Sequence, residues 1–278
     1  MVIWLFAGGG PPEYSGLVKL LQKSFHDYYF ERQLPQLAQK PIGKANRNVP
    51  IIRATTGRDL LRAIAQKLTE ILTRIEIEDR LEKNTLCDAI LVIDDLDCRR
   101  WDGEICHLVN STGFVNIKNH YINSVKDSIE NAKRKLNRNL ITRLNEAKFD
   151  PQIIVGFASP EIESWIVADW GNLKHRDFPK YRWRKMRDWL IDEARIDFDD
   201  PEIYGDFNED TGVCQFKISE QIVEASIQAT RREDDEIQYQ PYTKGRHSSE
   251  LLEMVTMEKV AEKCPIFREM YRSLQRLN

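Results

Sequence analysis

Three aspartates in four residues, Asp94, Asp95 and Asp97, follow directly on the apolar run Ala89-Ile90-Leu91-Val92-Ile93. Carboxylates outside the C-terminal end of a strand in an α/β sheet can hold Mg²⁺ through oxygen ligands and leave coordination positions for phosphate. If the strand continues, Asp95 and Asp97 share one of its faces. The same residues also suit a solvated acidic turn that caps the next segment, and both readings stand. A second acidic pair, Glu161 and Glu163, follows Ser159-Pro160, which reads as a capping serine and a first-turn proline. The helix macrodipole alone favours acids there, so a chemical role for Glu163 competes with a local one.

Two segments suit anions. Gly8-Gly9-Gly10 after the first apolar run lets backbone amides approach a phosphate, or simply makes a tight turn. It is neither a Walker loop, which needs Gly-Lys-Ser or Gly-Lys-Thr, nor a Rossmann fingerprint, which needs a glycine where Glu13 stands. Lys244, Arg246 and His247 lie in a glycine-containing loop ahead of a helix, fit to neutralise phosphate or to serve as an ordinary cap with surface charges. No two of the five histidines have the i, i+4 spacing of a zinc helix, and no Gly-x-Ser-x-Gly elbow is present. Trp165 reads as a core anchor.

The elements that must position these groups follow from periodicity. Residues 2–6, 49–54, 89–93 and 153–157 read as strands, that at 89–93 as a run buried on both faces. Helical spacing is predicted from Glu13 to about Phe30, after Thr56-Gly57, over 124–148 and from 159 to about 170, then over 215–230 and 247–277 with a break near Pro265. The helix over 124–148 carries a basic side, with Lys126, Lys133, Arg134, Lys135, Arg138, Arg143 and Lys148. The expectation is an α/β fold with a largely parallel sheet in residues 1–175 and a helical extension in 176–278 packed on it.

Composition bounds the function. The 278 residues carry 41 Lys plus Arg against 44 Asp plus Glu, a net charge of -3, which excludes a uniformly basic coat and an acidic tail. Mean hydropathy is -0.52 and no apolar run approaches the roughly 20 residues of a membrane span, so no membrane partner is expected. The N-terminus does not read as a signal peptide. Five cysteines without a CxxC pair predict reduced thiols and a cytoplasmic location.

Three segments together carry a resemblance. Phe6-Ala7-Gly8-Gly9-Gly10, the stretch from Pro160 to Asp169 containing Glu-x-Trp-x-x-x-Asp, and the stretch from Tyr242 to Leu252 containing Lys-Gly-x-His-Ser resemble, in order and spacing, a TOPRIM-like family of bacterial domains found beside defence genes. The resemblance implies a TOPRIM-like sheet, Mg²⁺ or Mn²⁺ as cofactor, and phosphoryl-transfer chemistry on nucleic acid or an oligonucleotide, with a defence-system partner. It places catalytic and metal-binding roles on Asp94, Asp95, Asp97 and Glu163, and beside them Gly8, Gly9, Gly10, Lys244, Arg246 and His247 stand as the candidate phosphate-binding residues. The acid that the family carries before its glycines falls on Ala7, which cannot bind metal. Either Glu13 or Glu163 then supplies the carboxylate, or the domain is a degenerate one that senses a nucleotide or binds a partner.

Overall fold

The computed structural model describes residues 1–8, 11–34, 56–78, 86–97, 100–101, 104–106, 108–208, 213–230 and 240–277, without side chains at 11–14, 100–101, 104–105, 206–208 and 213–214. The chain alternates strand and helix through its first half: β1 Val2–Ala7, α1 Pro11–Ser24, β2 Tyr29–Leu34, α2 Gly57–Glu78 and β3 Ala89–Asp95. A short hairpin, β4 Arg100–Trp101 and β5 Glu104–Ile105, leads to α3 Thr112–Lys133, α4 Arg138–Glu146 and β6 Gln152–Ala158. The four long strands form one parallel sheet in the order β2-β1-β3-β6. The chain therefore leaves β1 in one direction to make β2 and returns past it to make β3, so a topological switch point lies between β1 and β3. Ligands of open α/β sheets bind outside the carboxyl ends of strands at such a point.

Residues on alternate faces of these strands enter different cores. Ile3, Leu5 and Ala7 pack with Leu91, Ile93, α1 and the C-terminal helices. Trp4 and Phe6 pack with Ile90, Val92, α2 and α3. Ala7 pairs with Ile93, and Asp95 follows Ile93 by two residues on the same face, whereas Asp94 turns to the other.

The second half comprises α5 Glu163–Ala168, α6 Lys180–Asp192, a hairpin of β7 Asp206–Asn208 and β8 Val213–Gln215, then α7 Ile218–Gln228, α8 Ser249–Met254, α9 Met257–Lys263 and α10 Pro265–Gln275. These helices share a hydrophobic cluster with the sheet: Trp165 meets Phe267 at 4.7 Å between ring centroids, as befits a core anchor, and both are buried. No helix among the described residues is long and apolar enough to cross a membrane.

Several sequence expectations need correction. The first helix ends at Ser24, and Tyr29-Phe30 open β2 instead. Among the described residues that strand borders the sheet, and it is half polar, so its pattern is easily absorbed into the helix before it. The strand expected at 49–54 lies outside the described residues. The basic helix over 124–148 is two helices, α3 beginning earlier, at Thr112, and α4 restarting where the Asn137 side chain accepts a hydrogen bond from Leu140 N–H at 2.9 Å. Ser159 caps nothing: its hydroxyl donates to the Glu202 carbonyl at 2.7 Å, the Ser159–Pro160 peptide is cis, and α5 starts at Glu163.

The contact between α1 and α8 depends on a missing side chain. A Cβ at Gly16 would stand 2.6 Å from the Ser249 carbonyl oxygen and 3.1 Å from Leu252 Cβ. Backbone cannot yield as a flexible side chain does, so Gly16→Ala should destabilise the protein by about 1–3 kcal/mol, the usual range for overpacking. Thermal unfolding should show a lowered midpoint for Gly16→Ala and little change for Gly171→Ala, where a Cβ meets nothing within 4 Å.

Candidate functional site at the carboxyl edge of the sheet

Five acidic residues are buried among the described residues: Asp94, Glu161, Glu163, Asp169 and Glu202. Four of them hold the start of a helix. Asp94 accepts from Gly57 N–H, the first residue of α2, at 2.7 Å and from the Tyr121 hydroxyl at 2.5 Å. Glu161 accepts from Ser219 N–H at 2.5 Å and Ser219 Oγ at 3.0 Å in the first turn of α7. Asp169, the last residue of Glu-x-Trp-x-x-x-Asp, accepts from Thr256 N–H at 2.8 Å, just ahead of α9. Glu202 accepts from Ile266 and Phe267 N–H at 2.7 and 2.9 Å in the first turn of α10. Such orphan donors favour a carboxylate through both hydrogen bonding and the helix dipole.

Glu163 is the exception. It is wholly buried at the start of α5, and its Oε1 accepts from the Ser248 hydroxyl at 2.7 Å. Its Oε2 lies 3.1 Å from Lys244 Nζ, at ion-pair distance but outside hydrogen-bonding geometry, and makes no hydrogen bond. Burial, with the Glu161 carboxylate beside it, holds the Glu163 carboxyl above its ordinary value. Lys244 also donates to Glu161 Oε2 at 2.8 Å. Burial pulls the Lys244 ammonium down, but Glu163, Glu161 and Asp95 outweigh it, and the ammonium is held above the ordinary lysine range. Tyr242, buried and close to Glu163, is held as a neutral phenol well above its usual value and shares a short hydrogen bond with the Ser248 hydroxyl.

Lys244 and Ser248 belong to one π-helical turn, Lys244–Ser248, packed on α1. A charge network fixes its outer side. Asp177 pairs with Arg246 at 2.7 Å, and His247 Nε2 lies 3.3 Å from the same oxygen. His175 Nε2 lies 2.7 Å from Glu250, which also faces Arg246 at 3.5 Å. The ligand atoms of His175, Asp177 and His247 all lie within 4.8 Å of one another, a group able to share a metal ion. As arranged, each imidazole accepts a backbone N–H at Nδ1, from Asp177 at 3.2 Å and from Thr243 at 2.7 Å, so each Nε2 carries a proton toward a carboxylate. A neutral imidazole that binds metal through Nε2 needs the opposite tautomer. The group therefore serves, in this arrangement, to hold the turn.

The residues singled out from sequence separate accordingly. Asp95 is half-buried on the face of Ala7 and close enough to act on Lys244, whereas Asp94 is turned to the α2 and α3 side. Asp97 does not share a strand face with Asp95, because the strand ends at Asp95 and Asp97 has φ 47°. It lies 3.5 Å from Lys217 Nζ, at the head of α7. Gly8 N–H donates to the Ile93 carbonyl at 2.8 Å and so extends the sheet. Gly9 and Gly10 lie outside the described residues, as does the side chain of Glu13. Lys244 reaches the carboxylates, while Arg246 and His247 face Asp177. Ser248, Ser219, His175 and Asp177 join the site through partners dozens of residues away, and Tyr242 through Ser248; the local signal for them is that Ser248 closes the Lys-Gly-x-His-Ser segment. No family model, curated protein or solved structure matches the chain.

The raised Glu163 sets a pH dependence. Folded Glu163 keeps its proton where the unfolded chain, with a value near 4.5, has lost it. The folded state thus binds more protons, and stability falls as pH rises from that value through the raised one. Glu202, pushed up to about 8 by burial, acts in the same direction. His247, held low by burial, contributes in the opposite direction, so the check is a difference: in urea unfolding, stability should fall less or rise more with pH in Glu163→Gln than in wild type, with the part due to Glu202 kept in both.

Proposed function

We propose that the chain is a divalent-cation-dependent phosphodiesterase of TOPRIM type, acting on nucleic acid or an oligonucleotide in the cytoplasm as part of a prokaryotic defence system. The observation that carries this reading is Glu163, among the described residues the one buried acid that secures no helix and leaves an oxygen without a hydrogen bond. Glu163, Glu161 and Asp95 all act on the Lys244 ammonium, so three carboxylates gather around it. The donors are all carboxylate oxygens, the set that Mg²⁺ or Mn²⁺ prefers. Asp95 and Glu163 would hold the ion, with Asp97 at the same edge. Bound there, it would supply Lewis-acid polarisation of a phosphoryl oxygen and a more acidic water.

The chain's own residues have distinct tasks. Lys244, partly open to solvent and tied to both glutamates, presents its ammonium to a phosphate oxygen at the rim. Glu163 would give Oε2 to the ion that it shares with Asp95, once its carboxyl has released the proton that burial favours. Ser248, backed by Tyr242, holds the other oxygen and so aims Oε2.

One observation favours a second reading, a non-catalytic nucleotide sensor. Ala7 occupies the position beside Ile93 on the face of Asp95, where the family's acid is expected, and it is packed in the core with a 3% exposure. A sensor of this kind would be stabilised by its ligand without turnover.

The two are separated by incubating the protein with Mg²⁺ or Mn²⁺ and DNA, RNA or cyclic oligonucleotides. Cleavage is expected, and Glu163→Gln and Asp95→Asn should each lower its rate by about a hundredfold or more. Cleavage that persists undiminished in both variants would overturn the site assignment. Ligand-induced thermal stabilisation without any cleavage would establish the sensor.

A further inference from the structure

Residues 174–187 hold seven Lys and Arg against one acid, in a chain whose total charge is nearly balanced. Two of the eight charges are already spent. The buried Arg182 donates to the carbonyls of Asp177, Ser226 and Gln240 at 2.8–3.1 Å and lies over the Phe178 ring, so it is structural. Asp177, the one acid, is neutralised by Arg246. Lys174, Arg176, Lys180, Arg184, Lys185 and Arg187 remain exposed. Among the described residues, Lys174, Lys180, Arg184 and Lys185 make no ion pair.

Their spacing makes a track. Lys180, Arg184 and Arg187 recur at i, i+4 and i+7 on α6, hence on one face, separated by about 6 and 4.5 Å along the axis. Lys174 and Arg176 extend the line toward Asp177, which is joined to Arg246 and His247 of the turn that carries Lys244. Arg176 faces Asp177 and Glu250, the acids that also hold Arg246, so this end of the line adjoins the turn that carries Lys244. The basic residues of α4 do not adjoin it: that helix leads through Lys148 into Gln152, the start of β6, at the opposite edge of the sheet.

We infer that the α6 strip, from Lys174 to Arg187, binds the phosphate backbone of a nucleic acid and delivers it toward Lys244. The inference rests on the phosphodiesterase reading for its direction, while the binding itself needs only the strip. A membrane surface is the less suitable polyanion, because an interfacial helix needs an apolar outer face and 174–187 exposes no large apolar side chain. Sequence preference is not expected, since phosphate contacts position a strand without reading its bases.

The test is fluorescence anisotropy of a labelled single-stranded oligonucleotide titrated with full-length protein in EDTA, over a series of salt concentrations. Wild type should bind with strong salt dependence. Combining Lys174→Gln, Lys180→Gln and Arg184→Gln should weaken binding by at least about tenfold and reduce the slope of log affinity against log salt by about 2, three contacts at 0.7 each. A Lys180→Arg variant should bind as wild type, and Lys135→Gln with Arg138→Gln on the far edge should have little effect. Thermal unfolding of each variant checks that the exposed substitutions leave the fold intact. Unchanged affinity in the triple variant, or equal loss in the far-edge variant, would overturn the track. So would wild-type protein that binds anionic phosphatidylserine vesicles and ignores the oligonucleotide. Because no metal or turnover enters the readout, binding without any cleavage in Mg²⁺ would count against the phosphodiesterase reading and leave the track standing.

Discussion

A carboxylate withdrawn from water must be met by donors or lose its charge, and the arrangement of this protein follows from how it meets that demand at one edge of its sheet. The acids enter with the ends of β3 and β6 and the segments that follow. Helices, for their part, bring unpaired N–H groups at their first turns. Joining the two satisfies both sets at once: Asp94 with α2, Glu161 with α7, Asp169 with the approach to α9, and Glu202 with α10. The C-terminal helices are therefore located by specific polar contacts as well as by the apolar cluster they share with the sheet. Glu163 stands out because the rule is otherwise kept. It accepts a hydrogen bond from a hydroxyl of a turn some eighty residues later, and the lysine ammonium of that turn faces its other oxygen only as an ion pair.

The turn itself depends on the outer network. Arg246 and His247 do not reach Glu163, but their contacts with Asp177, and that of His175 with Glu250, set where Lys244 and Ser248 can stand. Burial lowers the proton affinity of His247, and its Nδ1 accepts the Thr243 N–H, so it acts as a neutral ring of fixed tautomer. Asp177 is partly desolvated, which alone would raise it, but the hydrogen bond with His247 and the charge of Arg246 keep it ionised. On the other side, the missing Cβ of Gly16 lets Ser249 approach α1 closely enough for the turn to sit over the switch point.

The central strands were legible because a parallel sheet covered on both faces must be written as unbroken apolar runs, as in Ile90-Leu91-Val92-Ile93. β2 was not, since a border strand such as Tyr29-Phe30-Glu31-Arg32 keeps polar residues and lies next to a true helix. The acidic residues were visible as a cluster, but composition could not divide them. Asp94 and Asp95 are adjacent and chemically identical, yet the period of the strand sends one to α2 and the other toward Lys244. Likewise Glu161 and Glu163 differ by two positions, and only the position of Ser219 makes the first a cap. Such partners lie far off in the chain and leave no local pattern. The Ser159 reading failed for a related reason: a serine before a proline resembles a helix start until a distant carbonyl, here that of Glu202, takes its hydroxyl.

Near-zero net charge conceals a division that the fold creates. Four acids are drawn inward because helix starts need them there, and Glu163 is buried with them, which removes five from the surface balance. The cations of α6 have no such internal use apart from Arg182, so they stay exposed, and the surface beside the site is more basic than the total of -3 suggests. Lys244 lies at the boundary, bound to the buried glutamates on one side and open to solvent on the other. A phosphodiester approaching along the basic surface would meet that ammonium before the carboxylates, and the order matters, because bare carboxylates would repel it. In this arrangement Lys244 screens the acids from an incoming anion, and the acids in turn keep Lys244 protonated, so neither charge at the rim is stable in its role without the other.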